Sequence, residues 1–361
     1  MAAQSLTLPV IDADGHLVES VSEMAEFMEP SIRGVALKPG RNRQGVFPSL
    51  DGMHYPGEGQ DAPSDKEPSR PRVNASDHRM GSGEDCLAFV DKSGIDYTIL
   101  YTSEGLSVGF IQLAEYAKRV CRAYNDYVAA RYRNLSDKVL PVALLPLVDV
   151  KDAVAELRRA VLDLKLPGAM LPSTGLPLHL GHEYYWPVYQ EAASLGAFLG
   201  IHGGSNRGVG IDTYSSMAAS HVLHHPVPLM NAMVSLIYHG VLDAYPASRF
   251  AFLEGGCSWL VVLLDRMHRD DEFFGTLKRS LPEYLTSGQI LIGCEGDDPS
   301  LSYLAHEVGI DPFAYSSDYP HEVDMVAAQQ MIERTITRED LTLDQKRAVL
   351  ADNARRFHRL V

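Results

Sequence analysis

Four short stretches of this chain gather imidazole and carboxylate groups that could serve one small site. They are Asp12-Ala-Asp14-Gly-His16, with Glu19 just beyond; Ile201-His202-Gly-Gly; Leu253-Glu254-Gly-Gly; and Ser317-Asp318-Tyr-Pro-His321. Imidazole nitrogens combined with carboxylate oxygens suit zinc, manganese or iron. Thiolate ligation is disfavoured, because Cys86, Cys121, Cys257 and Cys294 lie far apart with no Cys-x-x-Cys pair, a spacing that also argues against a disulfide scaffold. Asp14 and His16 are two residues apart, so on a strand both can point the same way. Taken singly, each residue has an ordinary explanation. A strand-end His is often a hydrogen-bonded core residue, and an Asp such as Asp318 ahead of a helix is often its cap. Coincidence at four strand ends is what points to a metal site. A further polar group, His221, His224 and His225, crowds before Pro226. His221 and His224 are expected to face solvent.

Elements that could position these groups follow from periodicity. Strand patterns fall at Leu8 to Ala13, Tyr97 to Tyr101, Val139 to Leu145, Ala169 to Leu171, Phe198 to His202, Phe250 to Leu253, Gln289 to Ile292 and Phe313 to Ser316. Helical patterns separate most of them: Leu87 to Lys92, Gly109 to Arg133, a helix capped by Asp149, Tyr184 to Leu195, Pro228 to His239, Ser258 to His268, Leu301 to Glu307, Val323 to Ile332 and Leu343 to His358. Eight strands alternating with helices predict an α/β chain folded as a distorted (β/α)8 TIM barrel, in which catalytic groups sit at strand C-terminal ends. The rival, an open doubly wound sheet, lacks support because no Gly-x-Gly-x-x-Gly or Gly-Lys-Ser/Thr loop follows a strand. After a helix expected from Val21 to Met28 comes an irregular excursion at about residues 30–83. Its residues 30–72 hold seven Pro and six Gly, too many breakers for regular structure. The whole of 1–361 reads as one barrel domain with this insertion and a loop from Gly203 to Val227, either of which could shape a pocket.

Composition narrows the partners. Lys and Arg total 32 against 47 Asp and Glu, a formal net charge of −15 in 361 residues, and that field repels phosphate backbones and anionic lipids. Nucleic acid and membrane partners are therefore not expected. The longest apolar run, Trp259 to Leu264, is far short of the roughly 18 residues of a membrane span. The start, Met1 to Val10, lacks a basic signal-peptide region. A cytoplasmic enzyme acting on a small molecule, assembled as a homo-oligomer and most simply a dimer, is the expectation.

The segments Ile11-Asp-Ala-Asp-Gly-His-Leu-Val-Glu19, Ile201-His-Gly-Gly, Gly240-Val-Leu-Asp-Ala-Tyr-Pro246, Phe252-Leu-Glu-Gly-Gly-Cys-Ser-Trp259 and Ser317-Asp-Tyr-Pro-His321 together resemble the amidohydrolase-related branch of the metal-dependent hydrolases. That branch contains the aminocarboxymuconate-semialdehyde decarboxylase-like proteins. The resemblance implies a distorted barrel with metal ligands at His16, His202 and Asp318, and similar proteins often place a His-Pro pair, here His225-Pro226, over the site. Two departures stand out: Asp14 takes the place of the first His of a His-x-His pair, and Glu254 stands where decarboxylase members carry a catalytic His. No Lys occurs from Pro167 to Pro172, so a carbamylated lysine is not available there. Two metals would need a carboxylate such as Glu254 or Asp14 as bridge.

The leading expectation is metal-dependent hydrolysis or C–C lysis of a small organic acid or amide. One or two divalent ions, zinc first and iron or manganese next, would be held within Asp14, His16, Glu19, His202, His225, Glu254 and Asp318. Asp318 would take a proton, and Glu254 or His225 would return it. A nonoxidative decarboxylase is the closest alternative. A dinuclear iron oxygenase is the third reading, because the donors, His321 included, outnumber the needs of one zinc. A scaffold protein is disfavoured by the complete set of His16, His202 and Asp318. Trp259 and Tyr319 are expected to pack rather than to touch substrate.

Overall fold

The computed structural model describes residues 8–31, 33, 80–204, 208–211, 213, 214, 217–321 and 323–360. Nine strands follow in order: β1 Ile11–Leu17, β2 Tyr97–Thr102, β3 Val139–Pro141, β4 Ala143–Leu144, β5 Gly168–Pro172, β6 Phe198–His202, β7 Phe250–Leu253, β8 Ile290–Cys294 and β9 Phe313–Tyr315. All strand residues except Tyr97 are buried. That explains the nearly continuous apolar runs: a parallel sheet wrapped by helices exposes neither face to water. Every pairing is parallel, from β1 through β3 and from β4 through β9.

The strand expected at Val139 to Leu145 is broken into β3 and β4. Pro141 has no N–H to continue the ladder, and the next donor, Val142 N–H, bonds the Leu100 carbonyl at 3.0 Å. Between β9 and β1 the ring is joined by backbone bonds from Asp318 N–H to the Asp14 carbonyl and from His16 N–H to the Tyr319 carbonyl, both 2.8 Å. Asp12, wholly buried, reinforces this seam. Its carboxylate accepts from Ser317 N–H and Oγ, each at 2.8 Å, and from Thr98 Oγ1 at 2.9 Å. The barrel expected from the strand count is thereby the architecture observed, with strand C-terminal ends on one rim.

Helices fill the intervals largely as their periodicity requires. Asp149 caps Val150–Leu162 by accepting from the N–H groups of Lys151 and Asp152, and that helix buries Ala153, Leu157 and Ala160. Tyr319 stacks flat on Phe89 with ring centroids 3.9 Å apart, and Trp259 is buried with its N–H donating to the Gly256 carbonyl. Both are the packing residues they were expected to be.

Several boundaries differ, each for a physical reason. β1 continues to Leu17 instead of stopping at Ala13; its polar residues look like a strand end, yet they are buried against polar partners across the barrel mouth. The helix expected from Gly109 begins at Ala114, after a 3-10 segment Glu104–Phe110. The region read as a loop from Gly203 to Val227 contains a helix, Met217–His224. Flanking glycines and a following proline had disguised it. Most of the 30–83 excursion lies outside the described residues, apart from its first few residues and the stretch from Met80 that leads into helix Gly83–Ser93. Among the described residues no helix is long and apolar enough to cross a membrane.

Candidate metal centre and catalytic pocket

At the bottom of the mouth, β1 and β6 bring Asp14, His16 and His202 together, all essentially without solvent exposure. His16 Nε2 and His202 Nε2 face each other at 3.1 Å. Asp14 Oδ1 lies 3.2 Å from the second and 3.6 Å from the first. The outer nitrogens are already engaged: His16 Nδ1 donates to the Thr102 carbonyl at 3.0 Å, and His202 Nδ1 lies 3.1 Å from the Gly203 carbonyl and 2.9 Å from Glu254 Oε2. A proton held on each Nδ1 leaves the two Nε2 lone pairs converging on one point, the arrangement by which outer contacts prepare metal-ligating imidazoles. Asp14 Oδ2, buried without a hydrogen-bond partner, offers a further oxygen there. These residues fit a divalent cation by donor type and by that unsatisfied oxygen.

The same crowding sets the electrostatics. At Asp14 burial is the largest influence and pushes the carboxyl up to about 6, even with the His202 imidazole beside it. Burial, and then the neighbouring His321 and His202, hold His16 well below the usual imidazole range, so it stays neutral. For His202 burial acts downward but is outweighed by the Asp14 and Glu254 carboxylates, which push it up to about 10, so a cation binding here has to displace a proton from Nε2.

Above this set a second tier forms around Glu254 and Asp318. Asp318 Oδ1 is 3.4 Å from His16 Nε2 and 3.0 Å from His321 Nδ1, so it links the tiers. Glu254 Oε2 faces His202 and, at 3.5 Å, His225 Nδ1, while its Oε1 is 3.4 Å from His321 Nδ1. Burial alone would raise the Glu254 carboxyl, but the imidazoles of His225, His202 and His321 hold it well below the usual range. Asp318 is pushed up to about 6, by burial first and the Glu254 charge second. His321 moves well above the usual range, because Asp318 and Glu254 outweigh its burial. Its Nε2 meets Ser103 Oγ at 2.9 Å, and Ser103 in turn donates to the Leu17 carbonyl.

Local backbone shape makes this packing possible. A Cβ on Gly203 would come within 2.9 Å of His225 Nδ1, so the residue after His202 has to lack one for His225 to close over the site. Glu254 and Asp318 adopt left-handed backbones, φ 62° and 52°. For side-chain-bearing residues this costs energy and is tolerated mainly where function requires it.

Four of the seven expected ligands, Asp14, His225, Glu254 and Asp318, line one cavity of about 510 Å³, and His16 and His202 meet Asp14 beneath it. Glu19 does not join the converging donors. Three residues past His16 the chain has left the strand, and both Glu19 oxygens hold the loop after β2: they accept from Thr102 Oγ1 and from the N–H groups of Ser103, Glu104 and Gly105. His321, expected only as one more donor of a dinuclear centre, sits between Asp318 and Glu254. Ser103, absent from the expected site, belongs to it; its pairing with His321 spans 218 residues and leaves no sequence signal. His221 and His224, expected to face solvent, instead line the cavity.

A parallel barrel with a mixed imidazole and carboxylate centre at its C-terminal rim defines a metal-dependent enzyme class. A model of the amidohydrolase family matches residues 11–360, and the chain belongs to that family. It is 23% identical over 273 residues, 74% of each chain, to a 2-amino-3-carboxymuconate-6-semialdehyde decarboxylase of Dictyostelium discoideum. An amidohydrolase from Mycobacterium avium subsp. paratuberculosis K-10 superposes with a TM-score of 0.78 at 18% identity over 98% of both chains. A 5-carboxyvanillate decarboxylase from Novosphingobium aromaticivorans DSM 12444, complexed with manganese and 4-hydroxy-3-methoxy-5-nitrobenzoic acid, superposes with a TM-score of 0.69 at 17% identity over 98% of this chain and 96% of that one.

Proposed function

We propose that this protein is a divalent-metal-dependent decarboxylase that removes CO2 from a small carboxylated substrate without an oxidant. The observation that carries this reading is His321, an imidazole held protonated between Asp318 and Glu254 on the wall of the cavity, next to the Asp14, His16 and His202 donors. Loss of CO2 leaves an electron pair on carbon, so the reaction needs a positioned acid. His321 supplies that proton, and Asp318 recovers one from solvent to reset the pair. Glu254 stays a carboxylate throughout, which makes it an anchor for the imidazoles rather than the residue that returns a proton. His225, packed over Gly203, lines the cavity beside it.

Asp14, His16, His202 and Asp318 would hold the metal, zinc or manganese, and when bound it would supply a Lewis acid for substrate oxygens. Names of relatives with decarboxylase activity support the reading. Hydrolysis is the second reading. The wealth of carboxylates favours it, because Asp318, at about 6, could accept a proton from water at neutral pH.

The two separate in one experiment. The chain, loaded with manganese or zinc, is incubated in D2O with hydroxybenzoates, aminobenzoates and unsaturated dicarboxylates, and in parallel with amides and esters. CO2 release with one deuterium on the vacated carbon is the expected result. Turnover of amides or esters with no CO2 from any acid would overturn it.

A further inference from the structure

Helix Met217–His224 carries His221 and His224 three residues apart, and His225 follows at once. Positions i, i+3 and i+4 share a helix face, and the three rings cluster accordingly, with centroids 4.6 Å apart for His221 and His224, 5.2 Å for His221 and His225, and 3.9 Å for His224 and His225. One nitrogen from each lies within 4.8 Å of the others, and Nε2 of His224 is 2.5 Å from Nε2 of His225. His224 is buried. All three line the cavity that also holds Glu254 and Asp318.

We infer that His221, His224 and His225 form a second cation site, distinct from the deep Asp14, His16 and His202 set, for a borderline divalent metal of the zinc type. Imidazole is the ligand such ions prefer after thiolate. Zn–N bonds of about 2.0–2.1 Å would place two tetrahedral ligand nitrogens about 3.4 Å apart, so the present spacings, from 2.5 Å at the closest to no more than 4.8 Å, bracket the required one. Glu254 completes the design: its Oε2 stands 3.5 Å from His225 Nδ1, the position of an outer carboxylate that fixes a ligating imidazole and makes it more basic. Glu254 therefore stands between two centres, with His202 of the deep set on one side and His225 of the upper one on the other. An ion held by three imidazoles on a cavity wall lies within reach of whatever occupies the cavity. The substrate class that fits is one with two anionic or chelating groups, one for each centre.

This inference stands apart from the proposed reaction and is tested separately. Full-length protein is stripped with a chelator and dialysed to equilibrium against Zn2+, and against Co2+ as a spectroscopic probe. Wild type is compared with H221A/H224A and with H16A/H202A, and folding is checked by circular dichroism. H221Q/H224Q is the back-up if the alanine pair unfolds. The expected result is one equivalent fewer in H221A/H224A, and retention by H16A/H202A of one Co2+ with the visible absorption of a tetrahedral nitrogen-rich site. Loss in H221A/H224A with wild-type binding in H16A/H202A would support the upper site and discredit the deep one. Unchanged stoichiometry in the folded H221A/H224A or H221Q/H224Q protein would overturn the inference.

Discussion

Replacing Glu254 by Gln keeps the size of the side chain and removes its charge. Gln tolerates the left-handed backbone at φ 62° about as well as Glu, so the fold should survive. His202 keeps the Gly203 carbonyl as a partner for Nδ1 at 3.1 Å, so its ligating nitrogen still faces Asp14 and the deep site should keep its metal. What disappears is the anion shared by His202, His225 and His321. The two hydrogen-bonded imidazoles, His202 and His321, at about 1.5–3 kcal/mol each amount to about 3–6 kcal/mol. At about 1.4 kcal/mol per tenfold in rate this corresponds to a loss of about two to four decades in turnover. The assay is metal content by mass spectrometry together with CO2 release from the best substrate found. Metal content at the deep site should hold, turnover should fall by that factor, and the pH dependence should shift because His321 loses one of the two carboxylates that keep it protonated. Unchanged turnover with unchanged metal content would refute the argument and reduce Glu254 to a structural carboxylate.

His202→Ala should lose most of the deep-site metal while circular dichroism stays native, because the site sits on the rim and the core lies elsewhere; retained metal and activity would reject the assignment. Asp12→Ala leaves Thr98 Oγ1 and Ser317 N–H and Oγ without their acceptor inside the barrel seam, and urea melts should show a loss of about 3–5 kcal/mol, with a loss near zero counting against the seam. His358 is buried against Phe198, its ring nitrogens have no hydrogen-bond partner, and burial, followed by Arg249, pulls it down to about 3. An unfolded chain takes up that proton near pH 6.5 and the native one does not, so this group's contribution to stability is full above 6.5 and fades as pH falls toward 3, by up to ~5 kcal/mol. In His358→Phe the fall in stability between pH 7 and 4 should be smaller than in wild type; parallel curves would dismiss the account.

The barrel was legible because strands buried on both faces leave apolar runs that little else produces, as in Phe198 to Ile201 and Phe250 to Leu253. His16, His202, Glu254 and Asp318 were legible because each sits at the end of such a run. Glu19 was misassigned because sequence proximity to His16 does not reveal that β1 ends at Leu17 and the chain then turns toward the loop after β2. Asp12 passed unnoticed as a structural residue, since its partners Thr98 and Ser317 come from two other regions of the chain. The face shared by His221, His224 and His225 was hidden with its helix, whose eight residues fall between glycine-rich sequence and Pro226 and are too short for a clear period.

The left-handed backbones at Glu254 and Asp318 bear on any effort to make this protein hardier. Glycine would adopt either conformation at no steric cost, a saving of about 1–2 kcal/mol per position. At Glu254 the contacts of a stabilised carboxylate outweigh that saving, but at Asp318 it adds to the relief of a charge that burial disfavours, and directed evolution scored on heat resistance alone should find that codon early. Such a winner would unfold at a higher temperature and have lost the carboxylate that His321 depends on. For this chain, then, selection for thermostability has to be coupled to a readout of turnover from the first round.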